Sequence, residues 1–451
     1  MEVDLIIIGA GPGGYETAAE AAHKGLKVAL IEKAELGGTC LNQGCIPTKC
    51  FCKNAEVIEE LKHAEALGIE GLSYRKIDMQ KIVERKNQVL ISLRSGIETL
   101  LKHPNITRAT GTARFIDAHS VEVVGEQPAT FTAPNIIIAT GSITKMLPIP
   151  GKELPKVLTS TEILDITEIP RRLTVIGGGV IGMEFASIFN SFGSEVTVLE
   201  FCKEILPNFD SDIAKRLKAS LKGKGINIIN NAAVNAIEDC GDHYGIKYLL
   251  KEKENEVEAD IVLMAVGRVA NLDSLNLSDI GIETDRRGIV TDQDFRTNVP
   301  GIYAIGDING KCQLAHAASF QGKHVLNVIL NQTDTIDFSI MPAAVFTSPE
   351  AATVGLTADY CKANGIAATA HKGFFRSNGK ALAMNQTDGM VKILTDPEDH
   401  IIGCHLFGPH SADLIQEIAA LMNKRATLQE LRNIIHAHPT LGEVILNAAQ
   451  A

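Results

Sequence analysis

Short apolar runs punctuate the 451-residue chain, and two of them open the same pattern. Residues 3–33, VDLIIIGAGPGGYETAAEAAHKGLKVALIEK, read as strand, glycine turn, helix and strand. Residues 173–200, LTVIGGGVIGMEFASIFNSFGSEVTVLE, repeat that order, with Gly9 and Gly177 standing 168 positions apart. Continuous apolar runs of this length suit strands buried in a parallel sheet. Two βαβ units predict two nucleotide-binding domains in an α/β chain. Between them, residues 55–102 read as long amphipathic helices, stopped at Pro104. A β-rich stretch follows over 110–137 and closes in IIIATGS, and Pro148, Pro150 and Pro155 mark a linker. Residues 226–266 alternate apolar and polar, and 289–307 give another strand and turn ending in IYAIGD. From about residue 340 the pattern changes to strands (ATVGLT, MVKIL, IIGCHLFG) and helices (411–423, 427–435). That tail predicts a third domain of α+β type.

Composition narrows the picture. At 45% hydrophobic and 22% charged residues the chain is ordinary globular protein, not disordered or fibrous. A net charge of −11 opposes binding to nucleic acid phosphates. The N-terminus runs straight from Met1-Glu2 into an apolar strand, without the basic region of a signal peptide. No run approaches the ~20 apolar residues that span a bilayer. The expectation is a cytoplasmic protein with no membrane partner. Nine cysteines at irregular spacing do not form a secreted disulfide framework. Four of them, Cys40, Cys45, Cys50 and Cys52, crowd together.

Four motifs carry candidate chemistry. Gly9, Gly11 and Gly14 let the backbone turn tightly and approach a pyrophosphate at a helix N-terminus, and Glu32 is placed for ribose hydroxyls. Gly177, Gly179 and Gly182, with Glu200, repeat this, and Val180 and Ile181 complete the turn. An acid at that position repels a 2′-phosphate, so NAD is preferred over NADP. In GGTCLNQGCIPTK, Cys40 and Cys45 stand five positions apart and can form a small disulfide ring, with Lys49 downstream. A zinc site using Cys40, Cys45, Cys50 and Cys52 is the competing reading, though their spacing is not paired CxxC. Near the C-terminus, His438 and Glu443 in HAHPTLGE form a candidate base and orienter. A pair of satisfied surface histidines, or a His-x-His metal site at His436 and His438, are the alternatives.

GGTCLNQGCIPTK is similar to the redox motif of the pyridine nucleotide-disulfide oxidoreductases, and the likeness runs along essentially the whole chain. TNVPGIYAIGD at 297–307 resembles the family's second flavin motif, ATGS at 139–142 its return motif, and LAH at 314–316 its segment beside the flavin ring. Gly267-Arg268 resembles the nicotinamide loop, with Ala270 where proline is usual. HAHPTLGE resembles the HxHPTxxE signature of the members that oxidise dihydrolipoamide, with Gly442 in place of the usual serine. The resemblance implies two Rossmann-like domains and a C-terminal α+β dimerisation domain. It implies an FAD domain over 1–145 and 268–335, an NAD domain over 146–267, and the dimerisation domain over 336–451. FAD contacts are implied at Gly9, Gly11, Gly14, Glu32, Lys33, Gly38, Thr39, Lys49, Ala113, Thr140, Gly141, Ser142, Asp307 and Ala315. NAD contacts are implied at Gly177, Gly179, Val180, Ile181, Gly182, Glu200, Val234 and Gly267. Lys49 and Glu184 are implied beside the flavin, Cys40–Cys45 as the redox disulfide, and His438 as a base steadied by Glu443. The implied reaction oxidises dihydrolipoamide to lipoamide and reduces NAD+. A related FAD-dependent reductase of another disulfide or a metal ion is the alternative. The implied partners are a second copy of the chain, in a homodimer, and a lipoyl-bearing acyltransferase or glycine-cleavage carrier protein.

Overall fold

The computed structural model describes residues 1–451, which divide into two compact units. Unit one contains Met1–Cys50, Lys81–Lys145 and Arg268–Ile336. Its sheet is wholly parallel, in the order Ile302–Ala304, Asn135–Ile138, Leu5–Ile8, Val28–Glu32, Ile106–Thr110. Leu5–Ile8 is central and buried throughout, as its unbroken apolar run requires. The helices Pro12–His23 and Ala315–Ile329 pack on each other. A three-stranded antiparallel sheet (Thr112–Phe115, Ser120–Val124, Ala129–Thr132) joins Phe115, Val121 and Phe131 to the core built on Ile6, Ile136 and Ile138.

Unit two contains Phe51–Gln80, Met146–Gly267 and Asp337–Ala451. Its parallel sheet runs Asn227–Asn230, Glu195–Glu200, Arg172–Ile176, Ile261–Met264, Val157–Leu158. A three-stranded antiparallel sheet over 233–259 packs Ile237, Ile246 and Tyr248 against Ile176 and Met264. The C-terminal part is a five-stranded antiparallel sheet, ordered Ala343–Val345, Glu350–Gly355, Ile401–Gly408, Met390–Thr395, Thr369–Phe374. The helices Ser411–Asn423 and Glu443–Gln450 bury Ile415, Ile418, Val444 and Ile445 against it.

The helix expected over 427–435 is shorter, Leu428–Arg432. A capping box between Thr427 and Glu430 starts it firmly. Past Arg432 the β-branched pair Ile434-Ile435 is a weak continuation, and the His436 ring turns to Glu417 on Ser411–Asn423. No helix is long and apolar enough to cross a membrane.

Candidate active site

The two glycine turns are built alike. Gly9 sits at φ +103°, where a side chain would be strained and would collide with the Ala139 carbonyl. A methyl group on Gly14 would strike the Gly9 carbonyl, so the helix can begin there only with glycine. Gly11, by contrast, faces space: its nearest neighbour to an added Cβ is Gly38 Cα at 3.9 Å. Gly179 at the second turn has no atom within 4 Å of that position. These are cradles that a Cβ would fill, at the start of the helices Pro12–His23 and Val180–Phe192. Helix N-termini of this kind favour a pyrophosphate.

The acids after the second strands do more than the sequence suggested. Glu32 accepts from the Ala10 amide at 2.7 Å and the Ala34 amide at 2.9 Å. Glu200, itself buried, accepts from the Gly178 amide and from the Cys202 amide at 2.6 Å. Each carboxylate therefore braces its own glycine turn. Two oxygens offer about four lone-pair sites, so acceptor capacity remains for ribose hydroxyls. The residues fit two dinucleotides.

Further along unit one, Asp307 is the second residue of the turn Gly306–Asn309. Its carboxylate accepts from Ser142 Oγ at 2.5 Å, and Arg268 Nε donates to the same Oγ at 2.7 Å. Burial pushes the Asp307 carboxyl up, against the Ser142 hydrogen bond and the Arg268 charge. Gln321 holds the turn from behind, accepting from the Gly306 amide at 2.8 Å and from Asn309 Nδ2 at 2.9 Å. Thr140 donates to Asn271 O, Thr39 lies within 3.5 Å of Arg268 Nη2, and Ala315 starts the helix Ala315–Ile329. Ala113 is buried in its strand, Lys33 is exposed, and Gly38 and Gly141 hold positive φ. In unit two, Val234 lies on Ala233–Asp239 and Gly267 is open.

Cys40 lies on the short helix Gly38–Gln43, and Cys45 begins the helix Cys45–His63 after a tight turn at Gly44. Asn42 steadies this loop by donating to Leu36 O and Gly38 O, and Arg94 Nε donates to Asn42 Oδ1 at 2.7 Å. Both sulfurs are thiols. Hydrogen bonding to Cys45 drives the Cys40 thiol far up, burial and the Cys45 charge add to this, and Lys49 opposes it. The Cys45 hydrogen bond and burial therefore both disfavour the Cys40 thiolate. Cys45 stands at a helix N-terminus, which favours thiolate. The other two cysteines turn elsewhere: Cys50 is buried, and Cys52 donates to Phe346 O. The one set of side chains whose potential metal donors converge is Asp396, Glu398 and His400, far along the chain from those cysteines.

Glu184 is buried on Val180–Phe192 and accepts from the Phe346 amide at 2.9 Å. His438 Nδ1 lies 2.9 Å from Glu443 Oε1, and Glu443 Oε2 accepts from the Thr440 amide at 2.8 Å. That amide, then His438, hold the Glu443 carboxyl below its usual range. Nδ1 is thereby placed to donate to the carboxylate, which leaves Nε2 on the side of the ring away from Glu443. The His438 side chain is 78% exposed, open to a reacting partner. Sequence reasoning missed Gln321, Arg94 and the Phe346 amide, because each acts through a pairing distant in the chain.

A paired-cysteine loop, two dinucleotide cradles and a histidine–carboxylate pair define a disulfide oxidoreductase. Residues 3–322 match the pyridine nucleotide-disulphide oxidoreductase family and residues 341–449 its dimerisation domain. The chain belongs to that family, and it is an oxidoreductase using FAD and NAD(H). It is 42% identical to a dihydrolipoyl dehydrogenase of Chlamydia muridarum over 450 residues, 99% of this chain and 96% of that one. It is 41% identical to the dihydrolipoyl dehydrogenase of Geobacillus stearothermophilus over 453 residues, 100% of this chain and 96% of that one. Among solved structures, the Cu(II) complex of the HOCl-induced flavoprotein disulfide reductase RclA from Escherichia coli superposes with a TM-score of 0.89 at 30% identity. That match covers 100% of this chain and 99% of the other.

Proposed function

We propose that the chain oxidises dihydrolipoamide, carried on a lipoyl-bearing acyltransferase or glycine-cleavage carrier protein, and reduces NAD+. The observation that carries this reading is the 40–43% identity, along nearly the whole chain, to proteins named dihydrolipoyl dehydrogenase. The site supplies the chemistry. His438 Nε2 takes a proton from one substrate thiol, with Glu443 keeping the ring in the required tautomer. The substrate thiolate attacks Cys40 Sγ of a Cys40–Cys45 disulfide, and the S–S bond breaks toward Cys45. The second substrate thiol displaces Cys40, closing lipoamide and leaving the protein with two reduced sulfurs. The electron pair is now on Cys40 and Cys45, and the helix N-terminus favours the Cys45 thiolate. By the family resemblance, Lys49 and Glu184 would be the side chains that tune a bound flavin. The first glycine turn, Glu32, Asp307 and Ser142 would hold FAD, and Gly177–Gly182 with Glu200 would hold NAD. When bound, these cofactors supply the two-electron and hydride chemistry that side chains lack.

RclA is described as a Cu(II) complex, which favours reduction of a metal ion or a different disulfide as a second reading. Purified protein loaded with FAD separates the two. NAD+ reduction by dihydrolipoamide should outpace NADH oxidation by glutathione disulfide or Cu(II) by orders of magnitude. Faster turnover of either oxidant would replace the first reading with the second.

A further inference from the structure

Two residues before His438, a second histidine is held in the opposite way. The His436 side chain is 7% exposed, against 78% for His438. Its Nε2 lies 2.9 Å from Glu417 Oε1 and its Nδ1 lies 3.0 Å from Ile434 O. A carbonyl oxygen has no proton to give, and Glu417, 31% exposed, is a carboxylate. Both ring nitrogens thus face acceptors, an arrangement that a doubly protonated ring would satisfy in full. His438 donates from Nδ1 alone.

We propose that the Glu417–His436 ion pair is a positioning device for His438. The inference rests on reading His438 as the base. Residues 433–442 link the helices Leu428–Arg432 and Glu443–Gln450 without regular structure of their own. Two side-chain hydrogen bonds tie this link to elements outside 428–450. Asn378 Nδ2 donates to Thr440 O at 2.9 Å, on the C-terminal side of His438. His436 donates to Glu417 of Ser411–Asn423, on its N-terminal side. His438 stands between the two anchors. The exposed ring thus owes its placement to a neighbour that is buried and charged.

The charged and titratable groups facing His436 are few. Glu417 comes from Ser411–Asn423, and it in turn lies near the buried Cys404 of Ile401–Gly408. Glu443 comes from Glu443–Gln450, and the His436 charge helps to keep it ionised. His438 is on the same link. With two carboxylates beside it, the His436 cation is compensated, and its charge also supports the carboxylate that orients His438.

The test uses the full-length FAD-loaded enzyme and the variants Glu417→Ala, Glu417→Gln, His436→Ala and the double alanine variant. NAD-coupled oxidation of dihydrolipoamide is measured beside NADH oxidation by ferricyanide, which requires no base for a substrate thiol. Both single alanine variants should lose between about 10- and 100-fold in kcat/KM for dihydrolipoamide, the size expected when a base is displaced by about an ångström. Ferricyanide turnover should stay at the wild-type level, and the double variant should be no worse than either single one. In Glu417→Gln the acceptor remains but the charge is gone, so the basic limb of the kcat/KM profile should move to lower pH. Nitrogen-15 spectra of histidine-labelled wild type at neutral pH should show both His436 ring nitrogens protonated. An unprotonated His436 nitrogen, an unmoved basic limb, unchanged kcat/KM, or a parallel fall in ferricyanide turnover would each overturn the positioning role. Full lipoamide turnover in His438→Gln would instead bring down the base reading itself.

Discussion

At the scale of single residues, the two sulfurs of the GGTCLNQGC loop are not equivalent. Cys40 is half-buried and hydrogen-bonded to Cys45, which disfavours its thiolate, while Cys45 is exposed at the start of a 19-residue helix. One sulfur suits attack by a substrate thiol, and the other suits storage of negative charge. Replacing either with serine removes the exchange outright. Cys40→Ser and Cys45→Ser should each lower lipoamide turnover by at least about a thousandfold, the scale seen when a nucleophile is deleted. Both should still purify with FAD, because neither the glycine turns nor Asp307 depends on those sulfurs. Cys50→Ser and Cys52→Ser should stay near wild type, since a hydroxyl in place of the Cys52 thiol can also donate to Phe346 O. Activity and flavin absorbance per chain measure all four, and a Cys50→Ser enzyme as weak as Cys45→Ser would refute the pairing. The cysteine spacing was legible in the sequence. That the two sulfurs take unequal roles was also expected, but the Cys45 hydrogen bond and the burial that set Cys40 apart were not legible, because both arise only in the folded loop.

At the scale of elements, the apolar pattern and its glycine turns located both βαβ units, the alternating strands within 226–266 and the C-terminal strands. They did so because each is set by neighbours two to four positions apart. Pairings across the chain left no such trace. Glu184 meets the Phe346 amide from 162 positions away, and Lys392 meets Asp210 from 182 away. Lys392 and Asp210 are almost wholly buried, with Nζ 2.9 Å and 3.0 Å from the two carboxylate oxygens. Asp210 also caps the helix Ser211–Gly223 and accepts from the Ala358 amide. Lys392→Met would strand a buried carboxylate, an effect of about 3–5 kcal/mol. Chemical denaturation should show that loss, and Asp210→Asn added to Lys392→Met should recover part of it. Beside this pair, Asp212 is held at about 2 by Lys392 first and Lys372 second, from an ordinary value of 3.8. Its folded value is depressed, so its contribution is present above the unfolded value and fades as pH falls toward 2. Asp212 is 40% exposed, and solvent screening limits that contribution to about 1 kcal/mol. Lys392→Met should therefore flatten the acid side of the stability–pH curve, and an unchanged slope there would refute the Lys392–Asp212 coupling.

At the scale of the whole molecule, the base and the sulfurs belong to different compact units: Cys40 and Cys45 to the first, His438 to the second. His438 turns its Nε2 outward on a highly exposed side chain, within a segment that matches the family's dimerisation domain. A base must come within hydrogen-bond reach of the thiol it deprotonates. A two-fold dimer in which each chain lends His438 to its partner's sulfurs would meet that requirement twice, once at each site. Such sharing has a consequence that no self-contained site has. A Cys45→Ser chain and a His438→Gln chain should each be nearly inactive as homodimers. In a heterodimer of the two, one site collects both lesions and the other collects neither. Mixing the variants under conditions that exchange subunits should raise activity toward half of wild type in the heterodimer fraction, isolated by tags of two kinds. If the base served its own chain, each site of the heterodimer would keep one lesion and activity would stay at the homodimer level. Verified exchange without recovery, or full activity in a monomer at high dilution, would therefore rule out the shared site.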